Sequence, residues 1–207
     1  MSLIAKEPEG SNIPPLPEGV YIGTCYLLAD IGEQYNKMND TWKQKVVIGW
    51  QINGETITID GKEEPRTIHN FYANSLHEKA TLRTVLESWR GKKFTPEELM
   101  GFDLRNIVGT ACQLQIIHNT RDDGKVRADV KAIMALPRGT AYDKPTQKII
   151  FDMDTDMDKL ESMPKIVQTM VGKSRAFSEQ EEKPFGGEQS HFDEYGFPEP
   201  PPDELPL

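Results

Sequence analysis

Two cysteines in 207 residues, Cys25 and Cys112, are too few for a disulfide framework, and neither has a Cys or His neighbour at metal-ligand spacing. Two reduced thiols are the expectation. The four histidines are scattered along the chain. No Ser or Cys sits in a nucleophile-elbow pattern, and there is no P-loop or Gly-rich dinucleotide fingerprint. Nothing therefore argues for an enzyme, and no cofactor is expected. No apolar run approaches the roughly 20 residues of a membrane-spanning helix, and no apolar stretch near Met1 looks like a secretory signal. The expectation is a cytoplasmic protein that does not engage a membrane.

One acidic pattern invites a metal reading. Asp152, Asp154, Asp156 and Asp158 alternate, as in a calcium loop. Such a loop needs glycine at its sixth position and a bidentate glutamate at its twelfth. Counted from Asp152, those places hold Met157 and Met163. The acids read instead as residues favouring a helix amino end, and no metal site is expected.

Charge is present but unevenly placed. Residues 1–150 hold 19 Lys+Arg and 19 Asp+Glu, whereas residues 151–207 hold 5 and 14, so the whole net charge of −9 sits in the last quarter. A neutral body with an acidic end suggests a two-part protein, one part doing the binding and the other recruiting. Four regions follow from composition. Residues 1–18, with Pro8, Pro14, Pro15 and Pro17, form an extended lead-in. Residues 19–140 form a folded domain. Residues 141–175 hold a linker and a helical segment with an apolar stripe of Leu160, Met163, Val167, Met170 and Val171. Residues 176–207 are acidic and Pro-rich, a composition that predicts disorder.

Within the domain, period-two alternation predicts five main strands. The first starts at Gly19 and gives way to a polar loop from Gly32 to Thr41. The second spans Lys43 to Ile52, with Val46, Ile48, Trp50 and Ile52 on an apolar face and Lys43, Lys45, Val47, Gly49 and Gln51 on a small or basic one. Asn53-Gly54 is a strong turn signal, followed by a short limb at 55–59. The third strand spans Arg66–Asn74, the fourth Thr110–His118 and the fifth Val126–Leu136. Between the third and fourth, Ser75-x-x-Glu78 has capping-box form, and Leu82, Val85, Leu86 and Trp89 recur at helical spacing before Gly91. Thr95-Pro96-Glu97-Glu98 repeats the start signal. Mainly β, with one helix between strands three and four, is the order of a five-stranded Greek-key barrel, the OB-fold.

An OB-fold binds single strands across its second and third strands and in the loops after strands one and four. Rings for stacking and cations for phosphates are what such a surface needs. The first loop offers Tyr35, Lys37 and Trp42, and the second strand Lys43 and Lys45. The third offers Arg66 and whichever of Phe71 and Tyr72 points outward. The late hairpin offers Arg121, Lys125, Arg127 and Lys131. Three segments are expected to converge in this topology.

The stretch Asn74-Ser75-Leu76-His77-Glu78-Lys79-Ala80-Thr81-Leu82-Arg83, followed by Glu87-Ser88-Trp89-Arg90-Gly91-Lys92-Lys93-Phe94-Thr95, resembles a family of phage and prophage single-stranded-DNA-binding, replication or recombination accessory proteins. Pro15-Leu16-Pro17-Glu18-Gly19-Val20-Tyr21, Gly101-Phe102-Asp103-Leu104 and the later Phe151, Met163-Pro164, Val167-Gln168 and Lys173-Ser174 are similar to it as well. The resemblance spans roughly residues 13–175. It implies an OB-fold, single-stranded DNA as ligand and a host bacterial cytoplasm, and brings no catalytic residues. The final Asp203-Glu204-Leu205-Pro206-Leu207 is similar to the acidic tip Asp-Asp-Asp-Ile-Pro-Phe of bacterial single-stranded-DNA-binding proteins, with Leu207 in place of the aromatic. That likeness implies docking to replication or recombination proteins. An OB-fold adaptor that binds protein instead is the alternative, and a homo-oligomer is left open.

Overall fold

Alternation in β2 (Thr41–Ile59) sets the inner face of the sheet: Val46, Ile48, Trp50 and Ile52 are all buried in the main core. The structure, a computed structural model, describes residues 13–181 apart from 38, 60, 122 and 123. It is mainly β. β1 (Gly19–Asn36), β2, β3 (Lys62–Ala73), β4 (Ala111–Thr120) and β5 (Val126–Ala135) form an antiparallel path in the order β3-β2-β1-β4-β5. A short β6 (Ile149–Phe151) lies parallel to β1. One core cluster draws side chains from all five long strands, so both edges of the path bend around the same interior. Cα atoms of β3 and β5 come within 8 Å, yet among the described residues no ladder joins them.

Two strands run further than local signals predict. β1 does not stop before Gly32 but continues to Asn36, with register shifts at Cys25/Leu27 and Asp30/Glu33. These bulges absorb the irregular residues without ending the ladder. The Asp30 carboxylate accepts from the Gly32 amide at 2.9 Å and from Gln44 Nε2 at 2.6 Å, which stitches the second bulge to β2. Asn53-Gly54 likewise is no turn. β2 passes through it with a register shift and pairs again from Thr56↔Pro65 to Ile59↔Lys62.

The Ser75-x-x-Glu78 reading is also corrected. α1 (Thr81–Arg90) begins six residues later, with Ala80 at the cap and no side-chain cap bond. Ser75 Oγ instead accepts from the His77 amide at 3.2 Å, a local turn that competes with helix. The stripe behind it behaves as read: Leu82, Leu86 and Trp89 are buried against the sheet. Gly91 ends the helix in the left-handed region, φ 66°, where its amide reaches the Glu87 and Ser88 carbonyls. The second box is present. Thr95 Oγ1 accepts from the Glu98 amide at 3.2 Å, and the Glu98 carboxylate accepts from the Thr95 amide at 3.0 Å, opening α2 (Pro96–Met100).

A second core lies on the outer side of β1 and β2. α3 (Lys165–Gly172), with Pro164 just before it, turns Val167 and Val171 onto Tyr26, Leu27, Ala29, Ile31, Val47 and Phe151. The chain then continues as α4 (Arg175–Glu181). Helix at 176–181 corrects the expectation of disorder there, because Phe177 joins this second core. The rest of the acidic tail lies outside the described residues.

Candidate nucleic-acid interface

Beyond the cores, β1 and β2 continue as a two-stranded ribbon in which Gln34, Tyr35 and Asn36 face Lys43, Trp42 and Thr41. The Tyr35–Trp42 cross-strand pair brings the rings to 5.3 Å between centroids, tilted by 53°. Asp40 takes a left-handed conformation, φ 48°, in the tight turn, as a short polar side chain tolerates. The Tyr35 hydroxyl donates to Asp40 Oδ1, and this bond raises the Tyr35 pKa. Tyr35 is 45% exposed, Trp42 is half-buried, and Lys37 and Lys43 are exposed. A further cation arrives from far along the chain. The Arg175 guanidinium carbon lies 6.0 Å from the Trp42 ring centroid, and its Nη1 lies 3.5 Å from Glu33 Oε2. Sequence reasoning missed Arg175, since nothing local ties the start of α4 to this hairpin.

The outer face of β2 and β3 is narrower than expected. Val47 and Gly49 are buried, covered by the second core and by the Tyr26–His69 pair. What stays accessible is Lys43, half-buried Lys45 and Phe71, which is 37% exposed and pairs with Val47. Tyr72 is corrected from candidate contact to core. It is 4% exposed, its hydroxyl accepts from Asn70 Nδ2 at 3.1 Å, and burial pushes its pKa up to about 12. By strand alternation Lys43, Lys45 and Phe71 share one side of the sheet, and Tyr35 and Trp42 the other.

The remaining cations are elsewhere. Arg66 and Arg127 line a cleft of about 860 Å³ with Ile13, Ile59 and Val126, and Arg66 donates to the Pro14 carbonyl. Arg121 Nη2 bonds Asp129 Oδ1 at 2.8 Å, close to Lys125 at the β4–β5 turn. Lys131 is exposed on β5 at a register shift. Because Gly19 pairs with Ile116 while Asn36 leads into the β1–β2 turn, these groups and the aromatic hairpin lie towards opposite ends of β1. The expected convergence of three segments is thus not what the fold produces: the late hairpin stands apart. The tip Asp203, Glu204, Leu205, Pro206 and Leu207 falls outside the described residues.

Cys25 and Cys112 are buried free thiols, and desolvation raises both pKa values, that of Cys25 to about 12. Among the described residues no three His, Cys, Asp or Glu are grouped to hold a metal ion. Asp152 and Asp156 accept from backbone amides of their own turn, and Asp156 also accepts from Lys159 Nζ at 2.5 Å. No described helix is long and apolar enough to cross a membrane. No family model matches the chain, and no curated protein shows significant similarity to it.

Proposed function

We propose that this chain is a non-enzymatic single-stranded-DNA-binding protein of phage or prophage replication or recombination, acting in the host cytoplasm. Its acidic tip, Asp203 to Leu207, recruits a replication or recombination partner. One observation carries the reading: Tyr35 and Trp42 stand together at the end of the β1–β2 hairpin, partly exposed, with exposed Lys37 in the same turn and Arg175 beside the Trp42 ring. Rings flanked by cations suit an unpaired strand, because every base has a π face and every phosphate a charge. Each stacked base contributes about 1–3 kcal/mol. Lys43, Lys45 and Phe71, on the other side of the sheet, offer a second stretch for a strand that passes around the edge of the ribbon. The strand order supports the reading, since β3-β2-β1-β4-β5 with a helix between β3 and β4 is compatible with a partly open OB barrel.

The adaptor reading draws on the balanced charge of residues 1–150, since many nucleic-acid binders carry a basic domain. Fluorescence anisotropy of labelled oligo-dT across a salt series separates the two. Affinity that falls linearly in log affinity against log salt is the outcome for phosphate neutralisation. No binding at low salt would reject the DNA reading in favour of the adaptor.

A further inference from the structure

Among the described residues, Asp40 is the one non-glycine with a left-handed backbone, φ 48°. Glycine takes that conformation without steric cost, whereas Asp only tolerates it. Asp40 is also exposed, and it places a carboxylate beside the hairpin's rings, where like charge repels a phosphate. Neither the backbone nor the charge favours an acid at this position. What the side chain does is accept a hydrogen bond from the Tyr35 hydroxyl. The Tyr35 ring is 45% exposed, so packing holds it weakly. It leans on Trp42 across the ribbon, 5.3 Å between centroids. The bond to Asp40 adds a hold at the hydroxyl end of the ring.

We infer that Asp40 is a positioning residue, fixing the Tyr35 ring in the orientation on which a base stacks. The inference rests on the proposed reading of this site. A half-exposed ring held along one side only samples several staggered rotamers. A strand then has to select the one that suits it, and its apparent affinity falls with the fraction of molecules in that rotamer. A hydroxyl tied to the turn orders the ring before the strand arrives. The two attributes of the carboxylate therefore act in opposite directions. Its acceptor oxygen helps the strand, and its charge opposes it.

Three substitutions separate the roles. Asp40→Asn keeps an acceptor oxygen and tolerates the left-handed backbone, but drops the charge. Asp40→Gly suits the backbone better and drops the oxygen. Tyr35→Phe keeps the ring and drops the donor. The readout is oligo-dT anisotropy at a few tenths molar salt, where the Debye length is below about 8 Å and a lost charge counts for little. Asp40→Gly and Tyr35→Phe should each bind about two- to ten-fold more weakly than wild type, the worth of one hydrogen bond. Combining them should add no further loss, since both remove the same contact. Asp40→Asn should bind at least as well as wild type. If the turn needs Asp40 only for its backbone shape, Asp40→Gly binds normally, and that result overturns the proposal. So does normal binding by Tyr35→Phe, an Asp40→Asn as weak as Asp40→Gly, or losses that add in the double variant. In each of these cases wild type binds and the site reading stands. Failure of wild type to bind oligo-dT at any salt sinks both. Urea midpoints of the variants should stay at the wild-type value, and binding losses matched by lower midpoints would contradict a positioning role.

Discussion

The Tyr26 hydroxyl and His69 Nε2 lie 2.6 Å apart, rings edge to face at 5.8 Å, on the outer side of the sheet. Burial lowers the His69 pKa to about 4. The neutral imidazole is thus the folded form, whereas an unfolded chain takes up a proton near 6.5. The stabilisation is complete above pH 6.5 and is lost as pH falls through 4, at about 1.4 kcal/mol per pH unit and up to about 3 kcal/mol in all. Urea unfolding of wild type and His69→Gln at several pH values checks this. The difference between them should shrink steadily between pH 6.5 and 4, and a pH-independent difference would contradict it.

Gly49 makes that pair possible. A Cβ there would stand 2.6 Å from His69 Cδ2 and 3.0 Å from both Leu27 Cβ and Tyr26 Cε1. Three neighbours on two strands cannot all yield, so Gly49→Ala overpacks the site and should cost about 1–3 kcal/mol. The expected sign is a lower urea midpoint with an unchanged slope. A midpoint equal to wild type would mean that the outer face is looser than its distances indicate.

Phe71 and Tyr72 are adjacent and opposite in role. Tyr72→Ala empties a place in the main core and should cost about 3–5 kcal/mol. Phe71→Ala, on the accessible side, should stay within about 1 kcal/mol of wild type while weakening oligo-dT binding. Thermal melts and anisotropy on the two variants give both numbers. A Phe71→Ala protein that unfolds would place that ring among the core residues.

Local pattern reveals the parts of this fold that depend on nearest neighbours. The alternation of Val46 to Ile52, the Leu82–Trp89 stripe and the Thr95–Glu98 box each report one element packing one way. It fails where a ladder overrides a breaker, as at Gly32 and Asn53-Gly54, because bulges keep irregular residues inside strands. It fails again on the outer face, where Val47 is buried by Val167 and Val171 from far down the chain. The same limit applies to the candidate site. Tyr35 and Trp42 were readable as loop aromatics, but their cross-strand pairing needs β1 to run on to Asn36, and Arg175 joins them only through α4.

The tail gives an electrostatic prediction. Residues 182–207 carry seven acids against one lysine. If these carboxylates compete with phosphates for the body's cations, ending the chain after Glu181 should tighten oligo-dT binding at low salt and change it little at high salt. Equal affinity of full-length and shortened protein at low salt would remove the tail from the binding equilibrium.

Trp42 offers the most direct measurement. Trp50 and Trp89 are 0% and 6% exposed, so Trp42 is the tryptophan a base can reach. Titration with oligo-dT should quench intrinsic fluorescence saturably in wild type and leave Trp42→Phe unquenched. Trp42→Ala should bind about 5- to 150-fold more weakly, the equivalent of one lost stack. Quenching that persists in Trp42→Phe, or binding in wild type with no quenching at all, would contradict a strand stacked on this hairpin.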